Sequence, residues 1–452
     1  MRLAAVALPI LADFLSERRR MTELILAAIA DDFTGATDLA GMLVRGGLST
    51  VVAVGVEGLE RIGSAADSDA IVVALKTRSI AADLAVEASL KTARALRRFD
   101  ARRLYFKYCS TFDSTCAGNI GPVAEALRIE LGASVVSFTP SFPENGRRVY
   151  RGHLFVGDSL LNESGMERHP LNPMRDANLV RVLAGQSSSA VALIDRDTVQ
   201  RGAVAVKDAL ASHAGLRPLV IIDAIDEADL DIQAAALRDA PLVTGGSGLA
   251  FHLARHLVAL RGIDPAHAKA DSTAITPRPG RCAILSGSCS IRTREQVARF
   301  TERHPALSLS VRELSQDPQR VIDLALEWFD AHSTRDPLLI HSADVTSTPD
   351  GEHLSLGHRI EGTFAAIARG LIARGVTRLI VAGGETSGAV VTALNVSALK
   401  IGPELSPGVP WAQVMGGGTA DGVCLALKSG NFGAQDLFTS AFERLDLLER
   451  PA

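Results

Sequence analysis

The sequence predicts an α/β protein of two domains, each a mostly parallel sheet with covering helices, with the active site in the interdomain cleft. Three observations carry that expectation. Short runs rich in valine and isoleucine alternate with stretches rich in alanine, leucine and arginine, the rhythm of βαβ units. A polar, proline-bearing stretch, Asp271 to Gly280, interrupts the rhythm, which then restarts. At 452 residues, 47% of them hydrophobic, the chain is too long for one ordinary domain.

In chain order, residues 1–20 read as a leader or as a start assigned too early. Leu3 to Leu15 is apolar, but Asp13 interrupts it, Arg18-Arg19-Arg20 follows instead of leading, and Met21 stands just before the first strand. Export is therefore not expected. A first domain is expected over 21–270, a linker over 271–280 and a second domain over 281–452. Strands are expected at Leu24 to Ile29, Val51 to Val56, Ala70 to Leu75, Leu104 to Tyr108, Val135 to Phe138, Val191 to Ile194 and Leu219 to Asp223. Leu84 to Arg98 and Gly121 to Leu131 read as helices, and Val149 to Arg175 as an irregular insertion. After the linker, Cys282 to Leu285, Leu338 to His341 and Leu379 to Ala382 read as strands. No internal repeat is visible, and no apolar run is long enough to span a bilayer.

A net charge of -4 without a basic stripe argues against nucleic acid or a membrane surface as partner. Five scattered cysteines with no C-x-x-C pair argue against a disulfide framework or zinc site and for a reducing cytoplasm. Cys109 and Cys116 read as small, partly buried neighbours, and the histidines as solvated or structural. A P-loop, a complete G-x-G-x-x-G fingerprint after a strand, a protein-kinase signature set and H-E-x-x-H are absent.

Ligands in open α/β sheets bind beyond the carboxyl ends of the strands, so the loops there carry the chemistry. Asp31 and Asp32 follow the first strand, while Thr34, Gly35 and Thr37 open a helix whose N-terminus favours an anion. Adjacent residues at a strand end point in opposite directions, so one carboxylate is expected to face the ligand. The next constellation, Lys107 to Thr115 followed by Gly118-Asn119, joins a cation to a hydroxyl-rich loop with one acid, Asp113. Such a mixture suits a small polyhydroxylated carboxylate, with Ser114 and Asn119 to meet its hydroxyls and Lys76 to Ser79, including Arg78, as a second cationic segment.

Ser286-Gly287-Ser288-Cys289-Ser290, Gly383-Gly384-Glu385-Thr386-Ser387-Gly388 and Lys428 to Gly433 are glycine- and serine-bearing loops that bring backbone N–H groups near phosphate. Thr244 to Gly248 could face the same cleft, and Gly416-Gly417-Gly418 reads as a flexible hairpin.

Taken together, the Ala30 to Ala36 run, Lys107 to Thr115, Gly383 to Ser387 and Lys428 to Gly433 resemble the four-carbon acid sugar kinase family across nearly the whole chain after Met21. The form K-Y-C-S-T-F-D-S-T with G-N-I-G-P-V resembles its 3-oxo-tetronate branch; threonate and erythronate kinases tend to carry a shorter version with an arginine where Cys116-Ala117 stands here. The resemblance implies an ATP-dependent kinase acting on the C4 hydroxyl of a sugar acid, with a threonate or erythronate kinase as the alternative and a non-catalytic sugar-acid sensor as the reading from another class. It implies that Asp31, Asp32, Arg78 and the Lys107 to Asn119 region touch the sugar acid. Ser286, Gly287, Ser288, Gly383, Gly384, Glu385, Thr386 and Gly430 would meet ATP. Phosphoryl transfer asks for an aspartate as base at the cleft, Asp32 with Asp31 as substitute, and for Mg²⁺ held mostly by phosphates and water, with Glu385 the candidate carboxylate. Association into homo-oligomers stays open.

Overall fold

The computed structural model describes residues 24–62, 68–169, 172–216, 218–262, 275–288, 290–332, 336–342 and 353–446. The leader, residues 271–274 of the linker stretch and Cys289 lie outside them.

In the N-terminal half, β1 (Leu26–Ala30), β2 (Thr50–Val54), β3 (Ala70–Ala74), β4 (Leu104–Lys107) and β5 (Val136–Thr139) are followed by a small sheet of β6 (Arg147–Tyr150), β7 (His153–Val156) and β8 (Ser159–Leu160), and then by β9 (Val191–Ile194), β10 (Leu219–Ile222) and β11 (Leu242–Gly245). The C-terminal half contributes β12 (Arg281–Ser286), β13 (Ala306–Leu309), β14 (Leu338–Ser342), β15 (Val376–Ala382), β16 (Ala398–Ser406), β17 (Val409–Met415) and β18 (Cys424–Lys428). Runs such as Leu26–Ala30 and Ala70–Ala74 are buried throughout, as parallel strands covered on both faces must be.

Both halves are mostly parallel and helix-covered, as expected, but they are joined edge to edge. Among the described residues fifteen strands form one sheet, in the order β13-β14-β12-β15-β18-β17-β16-β2-β3-β1-β4-β11-β5-β10-β9. The join is an antiparallel pairing of β16 with β2, Ala398 opposite Ala53 and Lys400 opposite Val51. On one face an apolar cluster runs through both halves, taking in Val220, Val52, Leu399 and Leu379; the other face is divided into two clusters.

The order also exposes a likeness that the sequence hides. The run β2-β3-β1-β4 has the same winding as β13-β14-β12-β15, so each half has a switch point, between β1 and β4 and between β12 and β15. One further expectation is corrected and one, the hairpin, is met. The Val149 to Arg175 segment is not irregular throughout, because β6 and β7 pair antiparallel from Arg147 with Val156 to Tyr150 with His153. Gly416 to Gly418 connects the antiparallel strands β17 and β18, with Gly416 and Gly418 at positive φ.

Candidate functional site

At the first switch point β1 ends at Ala30, and Asp32 is already the N-cap of the Phe33–Arg45 helix, so strand alternation no longer governs the two acids. Both carboxylates reach one guanidinium, and of the two side chains Asp32 is the more exposed, 22% against 4% for Asp31. Arg78 donates to Asp31 from Nε at 3.0 Å and from Nη2 at 2.7 Å, and to Asp32 from Nη2 at 2.6 Å. Asp32 also accepts from the Gly35 amide at 2.9 Å and the Thr34 hydroxyl at 2.8 Å. A Cβ at Gly35 would overlap the Asp32 carboxylate and stand 3.1 Å from Lys107 Nζ, so the cluster closes only around a glycine. Burial alone would raise the Asp32 carboxyl; Arg78, Lys107, Thr34 and Gly35 outweigh it and hold the group below the usual range. For Asp31 burial prevails over Arg78, and its carboxyl lies above that range.

Lys107 is buried at the end of β4 and donates to the Tyr108 carbonyl at 2.9 Å. The loop beyond it turns through Phe112 at φ 50, a conformation uncommon for a bulky residue. The remaining candidates divide. Asp113 is buried and accepts from Thr111 at 2.6 Å, whereas Ser114 is buried against Gln186, whose Nε2 lies 3.0 Å from its hydroxyl. Asn119 stands at the N-cap of the Ile120–Glu130 helix without a side-chain cap bond. Its amide instead donates to the carbonyls of Thr77 at 2.7 Å, Ile80 at 3.2 Å and Arg78 at 3.3 Å, clasping the segment that carries Arg78. Cys109 is half-buried as expected, but Cys116 is exposed.

Asp38 is a residue of this cluster to which the sequence alone assigned no role. It lies one turn beyond Thr34, is buried, and accepts from the Ser247 hydroxyl of the Thr244 to Gly248 loop. Among the described residues its Oδ1 has no hydrogen-bond partner, and burial pushes its carboxyl up to about 6 against the pull of Lys107. An acid four residues from a helix-opening threonine was the available signal; the partner on another helix was not.

At the second switch point Ser286 ends β12, Ala382 ends β15 and Lys428 ends β18, in one register row. The three expected loops converge there. A Cβ on Gly287 would overlap the Thr386 hydroxyl, and one on Gly430 would stand 2.7 Å from Ser288 Oγ. Gly383, at φ 119, turns the chain into the Gly384–Ala393 helix, in a backbone region that side-chain-bearing residues avoid. The Ser286 hydroxyl is buried and has no hydrogen-bond partner among the described residues. Amides at two helix N-termini, with a buried hydroxyl between them, form an anion cradle.

The two switch points meet. A Cβ on Gly384 would lie 3.6 Å from Thr34 Oγ1, and one on Gly388 would lie 3.1 Å from the Phe33 ring. Lys76, expected to serve the sugar acid, instead reaches across to Glu385 at 3.6 Å and Glu361 at 3.9 Å. No group of three or more His, Cys, Asp or Glu side chains suited to a metal occurs among the described residues. The described residues therefore offer no such cage, and a divalent ion bound among them would depend on oxygens brought by a ligand.

Residues 26–253 match the profile of a sugar-binding N-terminal domain, and residues 283–438 that of a nucleotide-binding C-terminal domain. The chain belongs to the four-carbon acid sugar kinase family and is a phosphotransferase with a hydroxyl acceptor. Among its relatives, a 3-oxo-tetronate kinase of Cupriavidus necator is 47% identical over 93% of this chain and 97% of its own, and that of Haemophilus influenzae is 40% identical over 92% and 99%. Two crystal structures, each 39% identical, resemble it: a Salmonella typhimurium LT2 protein provisionally described as a tRNA synthase, with a TM-score of 0.79 over 93% of this chain and 99% of that one, and a Haemophilus influenzae protein, with a TM-score of 0.71 over 92% and 99%.

Proposed function

We propose that the chain transfers the γ-phosphate of ATP to the C4 hydroxyl of 3-oxo-tetronate, giving 3-oxo-tetronate 4-phosphate. The sugar acid is assigned to residues 21–270 and ATP to residues 281–452. One observation carries the reading: the acid and cation cluster after β1 and the glycine loop after β15 are in contact, Thr34 beside Gly384. Relatives named for this reaction over nearly the whole chain support the substrate, and the alternative substrates threonate and erythronate have no comparable support. The sensor reading is disfavoured, since a sensor has no need of a phosphate cradle facing the sugar site.

The acceptor oxygen attacks the γ-phosphorus in line, its bond forming as the bridge to the β-phosphate breaks, and the hydroxyl proton passes to Asp32. Asp32 is chosen over Asp31 because its side chain is 22% exposed against 4%. Its lowered pKa suits a loose transition state, in which the proton moves late and strong basicity matters less than position. Lys107 and Arg78 neutralise the substrate carboxylate and the charge beside it. Asp113 is assigned to substrate hydroxyls, while Ser114 and Asn119 act behind the site by holding its loops. The amides of Ser288, Gly384, Glu385, Thr386 and Gly430, with Ser286, receive the phosphates, while the Gly287 amide is held by the Ala382 carbonyl at 3.1 Å and the residue serves by its missing side chain. Glu385 is the carboxylate that would help to hold Mg²⁺, whose remaining oxygens would come from phosphate and water, and the ion would supply charge neutralisation there. A cytoplasmic location accords with the absence of disulfides among the described cysteines and of any described helix long and apolar enough to cross a membrane.

The test is ADP release measured with 3-oxo-tetronate, threonate and erythronate in parallel. Fastest turnover of the oxo-acid is expected; faster turnover of either reduced acid would reassign the substrate, and no turnover with any of them would remove the reading.

A further inference from the structure

Each half of the sheet ends a strand beside its switch point with a buried lysine, Lys107 on β4 and Lys428 on β18. Their surroundings differ. The Lys107 ammonium donates to one backbone carbonyl and stands among the acids of the sugar site. That of Lys428 is taken up entirely by acceptors of the protein. Its side chain is fully buried, and Nζ donates to Thr293 Oγ1 at 2.9 Å, the Ser429 carbonyl at 3.0 Å and the Gly430 carbonyl at 2.8 Å. An ammonium has three protons, so this set satisfies it.

The Gly430 carbonyl is the focus of the network. Besides Lys428 it accepts from Ser290 Oγ at 2.6 Å and Thr293 Oγ1 at 2.8 Å, both from the start of the Ile291–Thr301 helix, where Ser290 is the N-cap. The backbone of Lys428 serves the neighbouring loop, its carbonyl accepting from the Gly383 amide at 2.8 Å. One residue thus ties together the loops after β12, β15 and β18.

We infer that Lys428 is a positioning residue for ATP, its buried ammonium fixing the Ser429-Gly430 turn against the start of the Ile291–Thr301 helix without touching phosphate itself. The inference rests on the reading of these loops as the nucleotide site. A lysine at the end of a strand beside a phosphate cradle would ordinarily be taken as a phosphate ligand; here its donors are directed inward. Burial, helped by Arg292, brings its pKa down to about 7. Arg292 is itself paired with Glu295 at 2.7 Å. A buried ammonium is costly to keep, so an apolar replacement of similar length is compatible with folding.

The experiment is calorimetric titration of ATP into the full-length wild type, Lys428→Met and Thr293→Val, with KM and kcat for the sugar acid measured alongside. Lys428→Met is expected to weaken ATP binding by about tenfold or more, with the sugar-acid KM and the kcat at saturating ATP within about threefold of wild type. Thr293→Val is expected to weaken ATP binding less, and the double variant to lose little beyond Lys428→Met, because both side chains act on one carbonyl. Unchanged ATP binding in Lys428→Met would overturn the inference, and so would a fall in kcat with ATP affinity intact, the signature of a contact made only in the transition state. Additive losses in the double variant would also overturn it. If Lys428→Met failed to fold, Thr293→Val would decide alone, weakened ATP binding supporting the inference and unchanged binding refuting it. A wild type that binds no ATP would instead overturn the nucleotide reading, and this inference with it.

Discussion

Replacing Gly384 with alanine is expected to raise stability while lowering ATP affinity. The glycine is the first residue of the Gly384–Ala393 helix, and an added Cβ would meet nothing closer than Thr34 Oγ1 at 3.6 Å, an ordinary contact. Alanine therefore fits the protein itself, and by restricting the unfolded chain it should add about 0.4–1 kcal/mol. For the nucleotide the same methyl group stands where phosphate must approach the helix amides. Loss of one charge-assisted hydrogen bond is worth about 1.5–3 kcal/mol, which corresponds to a rise in Kd of about 10- to 150-fold. Calorimetric titration of ATP and a thermal melt of the same preparation measure the two effects separately. An ATP Kd within about threefold of wild type in a normally folded variant would refute the placement of phosphate at this helix. A substantially lowered Tm would refute the steric argument instead.

Asp32→Asn should lower kcat by about a hundredfold or more; near-normal turnover would remove Asp32 as base. Lys107→Met should raise the KM for the sugar acid and leave that for ATP alone, and an unchanged sugar-acid KM would make Lys107 a structural partner. Asp38 gives a pH signature, because its carboxyl titrates near 6 in the folded protein and near 3.8 when unfolded. The folded state then binds more protons between those values, so the contribution to stability is full below about pH 4 and lost as pH rises through 6. Asp38→Asn should accordingly gain in Tm relative to wild type from pH 4 to pH 7, and a difference independent of pH would show that the acid is not titrating there.

What the sequence made legible was local. The acids after β1, the cation ending β4 and the glycines after β15 each sit where an apolar run meets a loop, and a single stretch of chain contains the whole signal. Arg78 binding both Asp31 and Asp32 was not legible, because Asp32 is a helix cap and no longer obeys the alternation of the strand. Asn119 reads from sequence as a sugar ligand; the partners of its amide, the carbonyls around Arg78, lie about forty residues earlier in the chain. The β16 and β17 strands escaped notice since Ala398–Ser406 and Val409–Met415 carry Gly402, Pro403 and Pro410 and lack an unbroken Val/Ile run. Their pairing with β2 joins residues more than three hundred positions apart, and periodicity says nothing about such a contact.

That seam governs how the cleft can open. Three antiparallel junctions separate β15 from β1, an odd number, so in a flat sheet the two sets of strand ends would point to opposite edges. The sheet is not flat. A right-handed strand twist of about 20–25° per neighbour, accumulated over the six steps from β15 to β1, amounts to about 120–150° and swings the two edges toward one another. The approach of Thr34 to Gly384 then depends on the shared sheet as well as on the packing of the Phe33–Arg45 helix against the Gly384–Ala393 helix, and the β16 to β2 pairing ties the two halves besides the linker. A change of about 2° per step, small against the spread of twists that sheets adopt, would turn one half against the other by about 12°. Entry of substrates and exclusion of water would then be a matter of winding and unwinding the sheet, with the cleft as the place where the accumulated angle is read out.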